Sequence, residues 1–415
     1  MDPRRAGAHA GPGGARGDGV SGDRLRGALA HSLAVFAGVR LGLSVLALAA
    51  VALLPNAADV PGGAAGLPGP VDVPGWPAPR PGPGWHNLFT AWERFDALWF
   101  LRIAAGGYRP GDGSAAFFPL YPLAIRAVSW LLGGRPLAAA LLVSSAALLA
   151  ALVVLHLLAA TELGEAAARR SVLYLCLFPT AVFLFAPYSE PLFLLLSAAA
   201  FLAARRGRWA AAGLAGALAA LARSVGVLLA AALAVEALHR RAERRGPAWP
   251  GLLAAAAVPL GTLAYLAYWR VRAGDWLAPL HQQATWQRVA VAPWETAVAG
   301  TREAFRWIGV YPGGYHLLDW LLVVPAAVAC LYAVIRFRPA FGVYALASLL
   351  LPLALAFPPR PLMSLPRFLA VVFPIHWALA DLVERRALPH TAVVAVSAAG
   401  LGVTTLLFAG WYYIF

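Results

Sequence analysis

The sequence has no lysine, two cysteines and two methionines, and only 13% of its 415 residues are charged. The shortage of charge excludes the most. A soluble domain carries nearer a quarter charged residues. With 61% apolar residues and a mean hydropathy of +0.69, too few polar groups remain to cover a water-facing surface. Soluble enzymes, disordered chains and fibrous proteins are excluded, and an all-α multi-pass membrane protein is the expected class. The cysteines, Cys176 and Cys330, sit singly inside apolar runs and make neither a disulfide framework nor a thiolate metal site. With no lysine, all 33 basic residues are arginine, which together with abundant alanine fits a GC-rich, bacterial coding bias. The net charge of +14 does not imply nucleic acid. The arginines gather at the ends of apolar segments, as the positive-inside rule expects, so membrane lipids are the expected surroundings. Also missing are HExxH, Cys or His pairs at metal spacing, GxxxxGK[ST], GxGxxG after a strand, and Asp-x-Asp. No metal site is expected.

Arginine placement orders the chain. Residues 1–27 carry Arg4, Arg5, Arg16, Arg24 and Arg26 and read as a disordered basic cytoplasmic tail before the domain 28–415. Apolar segments follow at about 29–54, 136–159, 171–187, 191–204, 209–222, 225–238, 250–271, 316–335, 341–357, 367–383 and 389–412, giving about eleven transmembrane helices. The groups Arg169/Arg170, Arg205/Arg206/Arg208, Arg240/Arg241/Arg244/Arg245, Arg336/Arg338 and Arg385/Arg386 can all share the cytoplasmic side with the tail. This parity requires 117–134, with Pro119, Pro122 and Arg126, to lie along the membrane surface. Outside are then a long first loop, 55–135, a second long loop, 273–315, and the turns at Tyr188–Glu190, Arg223–Ser224 and 358–366. The first loop opens with a Pro/Gly-rich linker, 61–83, and continues with an aromatic stretch, 85–110, that reads as helical. The chain's most distinctive polar residues fall on this outer side.

Asp96 leads the candidates. At 100° per residue it falls among Trp92, Trp99, Phe100 and Ile103, while Arg94 and Arg102 point elsewhere. A carboxylate on an aromatic face near lipid is costly unless something uses it. The alternative is an ion pair with a nearby arginine within an interfacial aromatic belt. Glu190, after Tyr188 and Ser189, lies in a turn between two apolar runs, where a solvated carboxylate is the plain alternative. Arg223 stands apart from the other arginine groups on the outer side and suits a phosphate or carboxylate through its planar fork, unless it snorkels at a helix end. Asp275, Trp276, His281, Gln282, Gln283, Trp286 and Arg288 form a polar and aromatic group in which tryptophan faces suit sugar rings and equally suit interface anchoring. Arg360 and Arg367 flank a further outer turn where cations can meet a phosphate.

Read in order, these blocks resemble the PIG-V family, the GPI mannosyltransferase II-like members of the GT-C glycosyltransferase superfamily. WERFDALWFLRIAAGGY (92–108), AAFFPLYPLAIR (115–126), FPTAVFLFAPYSEPLFLLLS (178–197) and GLAGALAALARSVGVLL (213–229) carry the resemblance. GDWLAPLHQQATWQR (274–288) and SLPRFLAVVFP (364–374) extend it. The family's first block carries Trp directly before the Asp; here Phe95 takes that place and Trp92 lies upstream.

The resemblance implies a GT-C-like bundle and a polyprenyl- or dolichyl-phosphate-linked mannose donor, in keeping with the missing Asp-x-Asp of nucleotide-sugar enzymes. It implies inverting transfer on the extracytoplasmic side, with Asp96 as general base. Arg223, Arg367 and His281 are the expected phosphate-binding groups. Glu190, Tyr188, Trp92 and Glu93 are expected to support them or the acceptor. The protein would lie in the plasma membrane with its N-terminus cytoplasmic. The competing readings are a GT-C transferase of another sugar, a lipid or glycan transporter, and a non-catalytic partner in a glycosylation complex. The sequence leaves the acceptor open.

Overall fold

The computed structural model describes residues 22–55, 84–310, 313–412 and 414. The expected tail up to residue 21 and the whole of the Pro/Gly-rich linker, 61–83, lie outside the described residues. The expected helical class is what the chain adopts. Among the described residues, strand structure amounts to one antiparallel pair, Val289–Ala290 with Leu355–Ala356, in which Val289 faces Ala356. Among the described residues, five helices are long and apolar enough to cross a membrane: Gly22–Leu53, Pro136–Leu163, Trp249–Ala273 (continuous across a local break at Val258), Gly314–Arg336 and His390–Ala409. Leu120–Leu131, Trp209–Ala222 and Pro339–Leu353 are shorter apolar helices. This is an integral membrane protein.

Proline explains where the helices depart from the hydropathy pattern. The apolar run 171–187 is not one helix. Glu165–Leu177 ends just before Phe178-Pro179, and a single turn, Val182–Phe185, follows. Proline disfavours helical geometry in the residue before it and supplies no N–H, so the run breaks there. In the same way 367–383 divides into Leu365–Ala370 and Phe373–Glu384, with Pro374 in the first turn of the second helix, where its fixed φ is tolerated. The aromatic stretch 85–110 also divides. One turn, Asn87–Thr90, is followed by the helix Asp96–Gly106. Trp92 therefore does not share a helical face with Asp96. It packs under Arg40, whose guanidinium lies 4.5 Å from the indole centroid.

Pro136–Leu163 packs on Glu190–Arg205, which packs on Trp209–Ala222, and their buried alanines and leucines belong to the main core. Two ends can be told apart along this unit. Glu190 opens one helix and Arg205 closes it, about 22 Å apart at the α-helical rise. At the Arg205 end, Arg205 pairs with Glu162 (2.5 Å) and Glu236 (3.0 Å), and Arg338 pairs with Glu243 (2.9 Å). The Arg338 contact holds the Glu243 carboxyl down at about 2. At the Glu190 end, Trp209–Ala222 and Pro259–Ala273 approach so closely that a Cβ at Gly261 would overlap the Ala217 carbonyl oxygen. Small residues allow this approach.

Candidate functional site

Four charged side chains meet at the Glu190 end, each placed by the end of a helix or by a short one. Asp96 and Glu190 are the first residues of their helices, where the positive end of the helix dipole favours a carboxylate. Arg223 is the residue at which Trp209–Ala222 ends, in extended backbone, and the negative dipole end favours its cation. Arg367 lies on the short helix Leu365–Ala370.

Two of these elements start from strained backbone. Phe95, just before Asp96, has φ 52°, and Ser364, just before Leu365, has φ 70°. Positive φ is costly for residues with a Cβ and persists only where the surroundings impose it. Phe95 is wedged between Phe408 (5.7 Å) and Trp411 (5.5 Å). Ser364 Oγ accepts a hydrogen bond from Arg288 Nη2 at 2.9 Å. The strain sets the directions from which Asp96 and Arg367 enter the site.

Arg367 is the hub. Its Nη1 donates to Asp96 Oδ2 at 2.5 Å and its Nε to Glu190 Oε1 at 2.5 Å. The same Glu190 oxygen lies 2.5 Å from Arg223 Nη1, which also donates to Ser189 Oγ at 3.1 Å. Glu190 is fully buried, whereas the Asp96 side chain is 20% exposed. Tyr188 and Phe183 flank the Arg367 guanidinium, with ring centroids at 4.9 and 5.3 Å. Such faces favour a cation and restrict its motion. Behind them the Tyr188 hydroxyl donates to Arg94 O at 3.1 Å, and Ser144 Oγ donates to Tyr188 O at 3.0 Å.

The cluster borders a cavity of about 430 Å³. Asp96, Ser189, Arg223, Arg288, Ser364 and Arg367 are among its polar lining residues, and Leu266, Leu277, Leu280, Leu351, Leu355 and Phe368 form much of its apolar wall. This pairing of charge with aliphatic surface suits an amphiphile with an anionic or hydroxylated head.

Sequence reasoning and structure agree on much of this grouping. Asp96, Glu190, Tyr188, Arg223 and Arg367, taken from four separate segments, stand together. His281 does not join them. It is exposed and its Nδ1 lies 2.8 Å from Asp275 Oδ2, a contact that holds the Asp275 carboxyl below the usual range. Trp92 and Glu93 do not line the cavity. Glu93 is half-buried, and loss of water raises its carboxyl against the pull of neighbouring Arg94. Ser189 and Ser364 join the site without having been singled out as its members, and Gln283, Trp286 and Arg288 join it from the polar and aromatic group of the second long loop. The strand pair, not any helical pattern, brings Arg288 to the cavity, and two-residue strands leave no periodic signal.

Comparison with known proteins follows the same segments. Residues 83–244 match the family model described as Mannosyltransferase (PIG-V). The PIG-V resemblance is shown over this segment. A rat protein, GPI alpha-1,6-mannosyltransferase 2 (Rattus norvegicus), is 42% identical over 148 residues, 33% of this chain and 30% of that protein. The match thus spans less than a third of the curated relative's length. The PIG-V segment holds Asp96, Tyr188, Glu190 and Arg223; Arg288 and Arg367 lie beyond it. Among solved structures, ArnT from Cupriavidus metallidurans in the apo state aligns with a TM-score of 0.47 at 19% identity, covering 75% of this chain and 58% of that one. The same protein bound to undecaprenyl phosphate aligns at 0.46 and 16% identity, covering 78% and 72%. The archaeal oligosaccharyltransferase AglB from Archaeoglobus fulgidus, in complex with an inhibitory peptide and a dolichol-phosphate, aligns at 0.38 and 13% identity, covering 91% and 56%.

Proposed function

We propose that this chain is a membrane mannosyltransferase that moves mannose from a polyprenyl-phosphate-linked donor to a hydroxyl acceptor, with inversion, on the extracytoplasmic side. The observation that carries the proposal is the joining of Asp96 to Arg367 at the polar end of a half-aliphatic cavity. With Asp96, Glu190 and Arg223 inside the segment that matches the mannosyltransferase family model and Arg367 brought to them from outside it, that arrangement suits a lipid-linked sugar phosphate. The acceptor oxygen attacks the anomeric carbon while the bond from that carbon to the phosphate oxygen breaks. The bonding pair leaves with polyprenyl phosphate, and the acceptor proton passes to Asp96. Such proton transfer by a positioned carboxylate contributes roughly 10²- to 10⁴-fold. Arg223 and Arg367 meet the charge that develops on the departing phosphate, as fixed cations stabilise a transition state best. Glu190 holds both guanidiniums in place through its shared oxygen.

The test is transfer from radiolabelled polyprenyl-phosphate mannose in sealed right-side-out vesicles carrying the wild type or Asp96→Asn. The variant should insert normally and lose about 10²- to 10⁴-fold in rate. An added impermeant mannosidase should trim the wild-type product. A variant as active as the wild type would remove Asp96 from the mechanism. A wild type that consumes no such donor, offered a broad extract of acceptors, would remove the mannose assignment.

A further inference from the structure

Ser364 stands immediately before the helix Leu365–Ala370, a place where a serine hydroxyl usually accepts from the helix's first N–H groups. Here it does not. The backbone is left-handed, at φ 70° and ψ −15°, and the side chain makes no capping bond. The hydroxyl oxygen accepts instead from Arg288 Nη2 at 2.9 Å. Arg288 Nη1 also donates to Leu355 O at 3.3 Å and to Met363 O at 3.4 Å. One guanidinium from the second long loop thus spans both ends of the segment 355–364. The strand pair beside it, with Val289 facing Ala356, fixes where Arg288 stands. The short helix has a separate tie to another part of the chain, Thr180 Oγ1 donating to Pro366 O at 2.9 Å.

A positive φ is costly for a residue with a Cβ and lasts only where contacts impose it. Arg288 supplies such contacts at Ser364 and at the residue before it. Arg367 follows three residues on, so the direction in which its side chain leaves the backbone depends on the conformation of Ser364. We propose that Arg288 is a positioning residue for mannosyl transfer: by holding Met363 and Ser364 it sets the Leu365–Ala370 helix so that Arg367 meets Asp96 and Glu190. This rests on the mannosyltransferase reading above. Arg367 has its own ion pairs with both carboxylates, so losing Arg288 should weaken the site without abolishing it. The competing role is a direct contact between Arg288, which lines the cavity, and the lipid phosphate. It predicts a different pattern.

Arg288→Met removes the guanidinium and keeps an unbranched stem. Transfer from polyprenyl-phosphate mannose should fall about tenfold in kcat, near the lower end of what a strained backbone conformation costs to hold. KM should stay within about twofold, since Arg367 acts on charge that develops only in the transition state. The deciding measurement is made at Ser364. Alanine and glycine both lack the hydroxyl, but glycine takes a positive φ without steric cost. Ser364→Gly should therefore be about tenfold more active than Ser364→Ala. In the Ser364→Gly background, Arg288→Met should cost less than about twofold, because two changes acting through one contact are not additive. If Arg288→Met costs as much in both backgrounds, or raises KM and weakens binding of polyprenyl phosphate, Arg288 serves the ligand and the positioning role falls. An Arg288→Met enzyme as active as the wild type also overturns it. Should that variant fail to insert, the alanine and glycine variants at Ser364 decide alone, and equal activities there overturn the proposal. All of these results leave the mannosyltransferase reading standing, which falls only if the wild type transfers no mannose.

Discussion

Arg360 and Arg367 stand seven residues apart in one turn-and-helix segment, both are nearly buried, and both hold carboxylates, yet they are built for different tasks. Arg360 sets its Nε and Nη2 on the two oxygens of Asp319 at 2.6 and 2.7 Å, and Nη2 also donates to Ile414 O at 2.7 Å. Tyr315 lies under it, its centroid at 5.0 Å. That is a parallel fork on one carboxylate, with both charges inside the protein. Arg367 splits its fork between two carboxylates on different helices and presents part of itself to the cavity. A fork closed on one partner ties the chain together. A fork divided between two partners ties their positions to each other and meets whatever enters beside them.

Breaking each arginine should separate these tasks. The largest effect is expected for Arg367→Ala, with transfer reduced about 10³-fold, in the range found for removing a preorganised transition-state donor. Arg367→Lys should not restore it, because one ammonium lacks the planar fork that reaches Asp96 and Glu190 together. Initial rates normalised to monodisperse protein test this, and full rescue by lysine would show that charge alone suffices.

Next comes Arg360→Ala, which leaves Asp319 buried against no guanidinium and should cost about 3–5 kcal/mol of stability. Thermal unfolding in detergent would report it. The surviving folded fraction should keep its specific activity within about twofold, as expected where no contact to the reacting groups is lost. The pair Arg360→Met with Asp319→Leu should recover most of the stability, since an apolar replacement of a buried ion pair is often neutral. A matching apolar pair at Arg367 and Glu190 should recover no activity. Activity lost in step with stability at Arg360 would erase the contrast between the two arginines.

The smallest effect belongs to His281→Ala. Its contact with Asp275 is exposed, and transfer should change less than about twofold, in line with surface pairs. The pH dependence has a definite sign. The Asp275 carboxyl is lowered in the folded protein, so the contact's contribution is present above the ordinary aspartate range and is lost as pH falls through the lowered value. Unfolding of the wild type and Asp275→Asn should therefore differ at pH 6 and converge in acid. A tenfold drop in transfer for His281→Ala at neutral pH would place the imidazole with the phosphate-binding groups after all.

The site was legible in the sequence to the extent that isolated polar residues in apolar surroundings are legible. Asp96, Glu190, Arg223 and Arg367 each interrupt or border an apolar run, and the cost of placing charge there makes them conspicuous. Their pairing was not legible, because the Asp96–Arg367 contact joins positions 271 residues apart and nothing local encodes it. His281 shows a second limit. It shares the helix Ala278–Thr285 with Gln283, and composition cannot tell which of them turns toward the cavity. The helix breaks were partly legible, since Pro179 and Pro374 stand inside the runs that hydropathy joins. Phe95 and Ser364 were not, because neither residue type announces a positive φ.

The seat of Gly261 against Ala217 gives the cavity the mechanics of a vice with one fixed jaw. The Pro259–Ala273 helix carries Thr262 and Leu266 into the lining and rests backbone on backbone, with no side chain between that could be exchanged for a larger or smaller one. The spacing of the two helix backbones on that side is therefore fixed. A change in the girth of the ligand accepted must come from the side chains that line the cavity, Thr262 and Leu266 on this helix and Leu351, Leu355, Met363 and Phe368 elsewhere, and those are the positions to alter in redesigning what the cavity takes.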